Sequence, residues 1–270
     1  MITNFCRNAF LTASFFILAV IAGGDSEAAG GKITIQGDPC SAPLAKKLGD
    51  AFSKKSGVDV VVTLGKCRSG VTKAMDGDVN IGVSTYNFED HNFPKGLVKN
   101  VVAKAPIVLV VHVSNPINNL TSDQVNAIFK GQITNWKQVG GWDTPIRNVM
   151  LPPCVTETMS HQAVSYGFKL NKLIPESKGD PVAGTNNLVS RNEAAIGMQL
   201  YGYESSNVKV LKINGVLPTA ETVPSKYNYF ENYNIVTKGN PTGNVKKFIE
   251  FARSTKGKEI ALSLKHIPSI

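Results

Sequence analysis

The chain has 270 residues, 42% of them hydrophobic, with 29 Lys and Arg against 20 Asp and Glu and a formal net charge of +9. The basic residues are scattered singly instead of forming a run or a stripe, which argues against a nucleic-acid footprint. What remains is a soluble chain whose cationic surface attracts anions.

Residues 1–28 read as an export signal. Arg7 gives the positive start, residues 9–22 form an apolar run, and Ser26 and Ala28 put small side chains at the cleavage positions. The run is too short to span a membrane comfortably, and nothing later in the chain resembles a span. The mature protein is expected to start near Ala29 in the periplasm, with no cysteine at the junction to carry a lipid. Cys6 leaves with the signal, so Cys40, Cys67 and Cys154 remain. Three is an odd number for an oxidising compartment, so at least one thiol stays outside any intrachain disulfide.

Strands and helices then alternate. Residues 32–36 predict a strand, and 42–55 a helix with Leu44, Leu48, Ala51 and Phe52 on one face. Residues 58–64 follow as a strand, 70–75 as a short helix and 79–83 as a strand. Residues 107–113 are a continuous β-branched run, the mark of a buried or crossing strand. Thr121 and Gln124 fit a capping box opening a helix over 121–129, which Gly131 ends. A strand at 147–151 leads to a helix at 156–168. Short strands are expected at 193–198, 208–213 and 234–236, and helices at 245–253 and 256–265. This order predicts α/β lobes with mostly parallel sheets, and the absence of a flexible linker requires any two lobes to be joined by ordered strands.

Each mature cysteine lies just ahead of an expected helix: Cys40 in GDPCSAPLAKKL, Cys67 in GKCRSGVTKAM and Cys154 in PPCVTETMSHQ. A helix start offers N–H groups and a partial positive charge, so it attracts anions and favours thiolate. Three thiolates brought together would suit a soft, three-coordinate ligand, arsenic(III) first, with copper(I) and mercury(II) as alternatives. Zinc would need a fourth donor, with His161 or Glu157 to supply it. The competing readings are a Cys40–Cys67 disulfide with Cys154 left over, and cysteines that act as small hydrophobes. The chain lacks Gly-x-Ser-x-Gly, HExxH, a phosphate-binding Gly-rich loop with Lys, and CxxC, and Cys154 with His161 does not specify a dyad. No enzyme activity and no resident cofactor are expected.

The stretch NPINNLTSDQVNAIFKGQITNWKQVGG closely resembles a segment of the periplasmic phosphate-binding proteins of ABC transporters. GDPCSAPLAKKLGDAF, GKCRSGVTKAMDGDVNIGVST, EAAIGMQLYGY and KINGVLPTAETV resemble further pieces of that family, so the resemblance covers nearly all of 31–270. It implies an α/β, two-lobed type II periplasmic binding protein fold with a ligand cleft between the lobes. Lobe I would comprise 31–113 plus 205–270, and lobe II 114–204. By the same resemblance the ligand-binding residues are Cys40, Ser41, Cys67, Ser69, Tyr86, Cys154 and Thr156, and the partner is a membrane transporter or a sensor kinase.

Against that family pattern, Cys40, Cys67 and Cys154 stand at or near hydroxyl positions. The acidic residue of the second region is Asn80, and the expected arginines are Tyr86 and either Met150 or Leu151. A site stripped of its bidentate cation and several oxygens is expected to favour a thiophilic solute such as arsenite. The alternative is a phosphate-like oxyanion-binding protein in which the cysteines are structural or form a disulfide.

Overall fold

A computed structural model describes residues 31–66, 68–85, 93–149 and 181–269. The chain opens with β1 (Lys32–Gly37), α1 (Ala42–Ser56), β2 (Asp59–Leu64), α2 (Ser69–Asp76) and β3 (Ile81–Ser84). β1 lies between β2 and β3 and is parallel to both, which is possible because a helix returns the chain between successive strands. α1 buries Leu44, Ala45, Leu48 and Phe52 on one face. It carries Pro43 in its first turn, and Gly57 ends it with φ 74°, a conformation glycine adopts without steric cost.

The next strand sets the architecture. β4 (Leu97–His112) is 16 residues long. Its first part pairs antiparallel with β10 (Phe230–Lys238), and its second part with β7 (Ala195–Leu200) and β8 (Val208–Val210). One strand thus belongs to both halves of a nine-stranded sheet ordered β2-β1-β3-β10-β4-β7-β6, where β6 is Arg147–Val149, with β8 and β11 (Ile267–Pro268) also on β4. Sequence reading placed this strand only at 107–113. The stretch before it is broken by Lys99, Asn100, Lys104 and Pro106, so its apolar pattern is hidden, while Val102, Ala103 and Ala105 point inward and are buried.

The second half contains β5 (Asn119–Leu120), α3 (Ser122–Phe129), a 3-10 turn (Trp136–Val139), β6 (Arg147–Val149), α4 (Pro181–Ser190), β7, β8 and β9 (Lys212–Ile213). Thr121 and Gln124 form the reciprocal capping box that the sequence predicts. After β10 come α5 (Gly243–Arg253) and α6 (Thr255–Ser263). No helix among the described residues is long and apolar enough to cross a membrane. The helix expected at 156–168 lies outside the described residues.

Two large hydrophobic cores result. One gathers Ile33, Leu44, Phe52, Ile81, Tyr233 and Phe248, and the other Ile107, Leu120, Phe129, Trp136, Leu200 and Tyr227. Each such buried side chain contributes about 1.5–3 kcal/mol relative to exposure, so each core is a substantial unit. The cores meet along β4 and β10, which gives the two-lobed α/β fold.

Candidate functional site

β1, β2 and β3 run parallel, so their C-terminal ends share one edge of the sheet, and the starts of α1 and α2 follow those ends. Ligands of α/β folds bind beyond this edge, where loops and helix starts converge. Close backbone approach fixes the geometry. A Cβ on Gly70, in the first turn of α2, would lie 2.2 Å from the Gln36 carbonyl oxygen and 3.1 Å from that of Val83. A Cβ on Gly82 would lie 2.2 Å from the Gly70 carbonyl oxygen. Only glycine lets α2 sit this close to β1 and β3, and the contact brings Ser69 beside β1. The Gln36 side-chain amide donates to Ser69 Oγ at 2.9 Å, and Ser69 Oγ donates to the Lys66 carbonyl at 2.6 Å.

The start of α1 is satisfied from within the chain. Asp38 Oδ1 accepts from the Cys40 and Ser41 N–H groups, each at 2.9 Å, and lies 3.0 Å from Ser41 Oγ. Ser41 is fully buried; its Oγ accepts from the Asp38 N–H at 3.1 Å and lies 3.1 Å from the Val83 carbonyl. Burial raises the Asp38 carboxyl above its ordinary range, and the hydrogen bonds from Ser41 and Cys40 work against that rise. Tyr233 donates its hydroxyl to the Ser41 carbonyl at 2.6 Å, tying β10 to the same turn. Ser41→Ala should therefore cost about 1–3 kcal/mol in denaturant unfolding, because it strands partners around a fully buried hydroxyl.

Of the residues singled out from sequence, Ser41, Ser69 and Cys40 are described, and the two serines lie at this edge. Cys40 is a half-buried thiol in the β1–α1 turn, packed against the core that contains Trp136. Cys67, Tyr86, Cys154 and Thr156 lie outside the described residues, as do Met150, Leu151, Glu157 and His161. Among the described residues no group of three His, Cys, Asp or Glu side chains is placed to hold a metal ion. Asn80 requires a correction. It precedes β3, and its Oδ1 accepts from the Thr34 N–H at 2.8 Å and the Thr34 hydroxyl at 3.0 Å. That is the opposite end of the strand from the helix starts, so Asn80 supports the sheet and does not face this edge.

Sequence reasoning missed three groups here. Asp38 sits inside a quoted loop, but nothing local marks it as the cap of α1. Arg68, in the N-cap position of α2, has φ 58°, a left-handed conformation that strains a non-glycine residue and recurs at ligand clamps. Glu231 on β10 is only 2% exposed and is hydrogen-bonded to Thr85 just past the end of β3. Burial holds its carboxyl well above the ordinary range, and nearby Asp38 adds to the effect.

A family model described as a PBP superfamily domain matches residues 23–256. The phosphate-binding protein PstS of Bacillus subtilis is 27% identical over 264 residues, covering 90% of this chain and 87% of that protein. A Clostridium perfringens protein described as a phosphate ABC transporter substrate-binding protein, solved with bound phosphate, is 30% identical with a TM-score of 0.78. That match covers 88% of this chain and all (100%) of the solved one. An ABC-type phosphate transport receptor from Vibrio cholerae shares the fold at 24% identity, with a TM-score of 0.69 over 87% of this chain and 99% of that one.

Proposed function

The chain belongs to the PBP superfamily, and from that premise we propose that it is the exported solute-binding component of an ABC transporter, taking a small oxyanion of the phosphate kind. The observation that carries this reading is the start of α2 at the C-terminal edge of the parallel strands, with Arg68 at its N-cap position and the hydroxyl of Ser69 in its first turn. A helix start offers backbone N–H groups and a favourable dipole, and Arg68 at the N-cap position is the residue we propose as the cation that the sequence lacks at Tyr86. The bound solute would be handed to a membrane transporter. Its small-anion class follows from the relatives named above, which are phosphate-binding proteins by description.

Titration calorimetry of the mature chain with phosphate tests this. One phosphate per chain is expected, and Arg68→Ala should weaken it about tenfold to a hundredfold, the range of one charge-assisted hydrogen bond. Absence of any heat with phosphate or arsenate would sink the reading.

A second reading keeps the three cysteines as ligands of arsenite, and rests on the position of Cys40 in the β1–α1 turn at the candidate site. Arsenite should then protect all three thiols from alkylation and raise the melting midpoint by mass action. The shift should vanish alike in Cys40→Ser, Cys67→Ser and Cys154→Ser. Protection by phosphate equal to that by arsenite would refute it.

A further inference from the structure

Glu231 sits where the two cores meet. It is the second residue of β10, between Phe230, which packs against the core of Trp136, and Tyr233, which belongs to the core of Phe248. Across the ladder it pairs with Ala105 of β4, the strand common to both halves of the sheet. Strand alternation puts Glu231 and Tyr233 on the α1 face. Asn232 and Lys104 take the other face, where the Lys104 ammonium lies 5.8 Å from the Phe230 ring centre.

The surroundings of the carboxyl offer little to a charge. Thr85 supplies one hydrogen bond, and Oε1 has no hydrogen-bond partner among the described residues. Among the described residues the titratable groups on this face are Asp38 from the β1–α1 turn and Tyr233 from β10 itself. Beyond Tyr233 stand Tyr203 and His266, the latter with its ring 6.0 Å away. Among these described neighbours none is a lysine or an arginine. A carboxylate taken out of water without a cation costs several kcal/mol, so the stable form here is the neutral acid.

We infer that Glu231 is a proton-bearing latch at the crossing of β4 and β10. As the carboxylic acid it holds the two strands packed as they are here. Loss of its proton places a bare charge opposite Asp38, draws water to Oε1 and loosens the joint between the two halves of the sheet.

The direction with pH follows. A carboxyl raised in the folded chain keeps a proton that the unfolded chain has already lost, so stability falls as pH rises from the ordinary glutamate range, about 4.3, towards the folded value. His266 acts in the opposite sense. Burial lowers it to about 4, so below the ordinary histidine range, about 6.5, the unfolded chain takes up a proton that the folded chain refuses. Asp38, raised like Glu231, acts in the same sense as Glu231, and both it and His266 are common to wild type and a Glu231 variant, so the difference between the two isolates Glu231.

Thermal unfolding of the unliganded chain between about pH 5 and 9, for wild type and Glu231→Gln, reads this without any solute, because the difference between the two cancels what they share. As pH rises, the wild-type midpoint should drop by several degrees relative to that of the variant. Amide exchange of β4 and β10, corrected for its intrinsic pH dependence, should quicken in the wild type alone. Parallel melting curves would overturn the latch. Should Glu231→Gln fail to fold, a carbon NMR titration of the wild-type glutamate carboxyls decides. One carboxyl titrating well above the ordinary glutamate range supports the latch, and a full set titrating within that range overturns it.

Discussion

Trp136→Ala is expected to cost about 3–5 kcal/mol in denaturant unfolding, enough to leave the second core largely unfolded at physiological temperature. Trp136 has no exposed surface and packs with Ile128, Phe129 and Ile117. Directed contacts hold it as well. Its indole N–H donates to the Ala194 carbonyl at 2.9 Å, its backbone N–H donates to Thr144 at 3.0 Å, and its carbonyl accepts from Gly141 at 2.9 Å. The alanine variant empties a large cavity and strands the Ala194 acceptor. Trp136→Phe separates the two effects: it keeps most of the apolar contact and should lose about 1–2 kcal/mol, mainly the buried hydrogen bond. Equal losses for both variants would mean that the hydrogen bond, and not the packed volume, dominates at this position.

Gly70→Ala should do more damage to function than its single methyl suggests. The new Cβ would meet backbone on two sides, the Gln36 carbonyl oxygen at 2.2 Å and that of Val83 at 3.1 Å, and neither can swing aside as a side chain would. α2 must lift away from β1 and β3, carrying Ser69 and Arg68 with it. Overpacking of this kind costs about 1–3 kcal/mol or more, and an ångström of displacement at a binding edge is costly in affinity. The expected result is a lowered unfolding midpoint together with at least a tenfold loss of phosphate affinity, the latter surviving at temperatures where the variant is folded. Gly57→Ala is the contrast. A Cβ there meets nothing within 4 Å, so it carries only the strain of φ 74° and should leave solute binding unchanged.

The sequence by itself determined the elements whose signals are local. The α1 stripe, the Thr121–Gln124 capping box and the strand cores at 32–36, 58–64 and 107–113 follow from periodicity and end chemistry. These are properties of neighbouring residues and need no partner. The family fold was legible as well, through the long motif around Trp136. What only tertiary structure decided is everything that depends on which strand lies beside which. The first part of β4 is a strand because β10 pairs with it, despite the charges that hide its pattern. Asn80 faces away from the helix starts because β3 is parallel to β1, which puts its beginning and its end at opposite edges. Asp38 caps α1 in place of a ligand, and Glu231 reaches Thr85 from a strand far along the chain. Such contacts join residues distant in sequence, and their energies come from burial and direction, which no local pattern encodes.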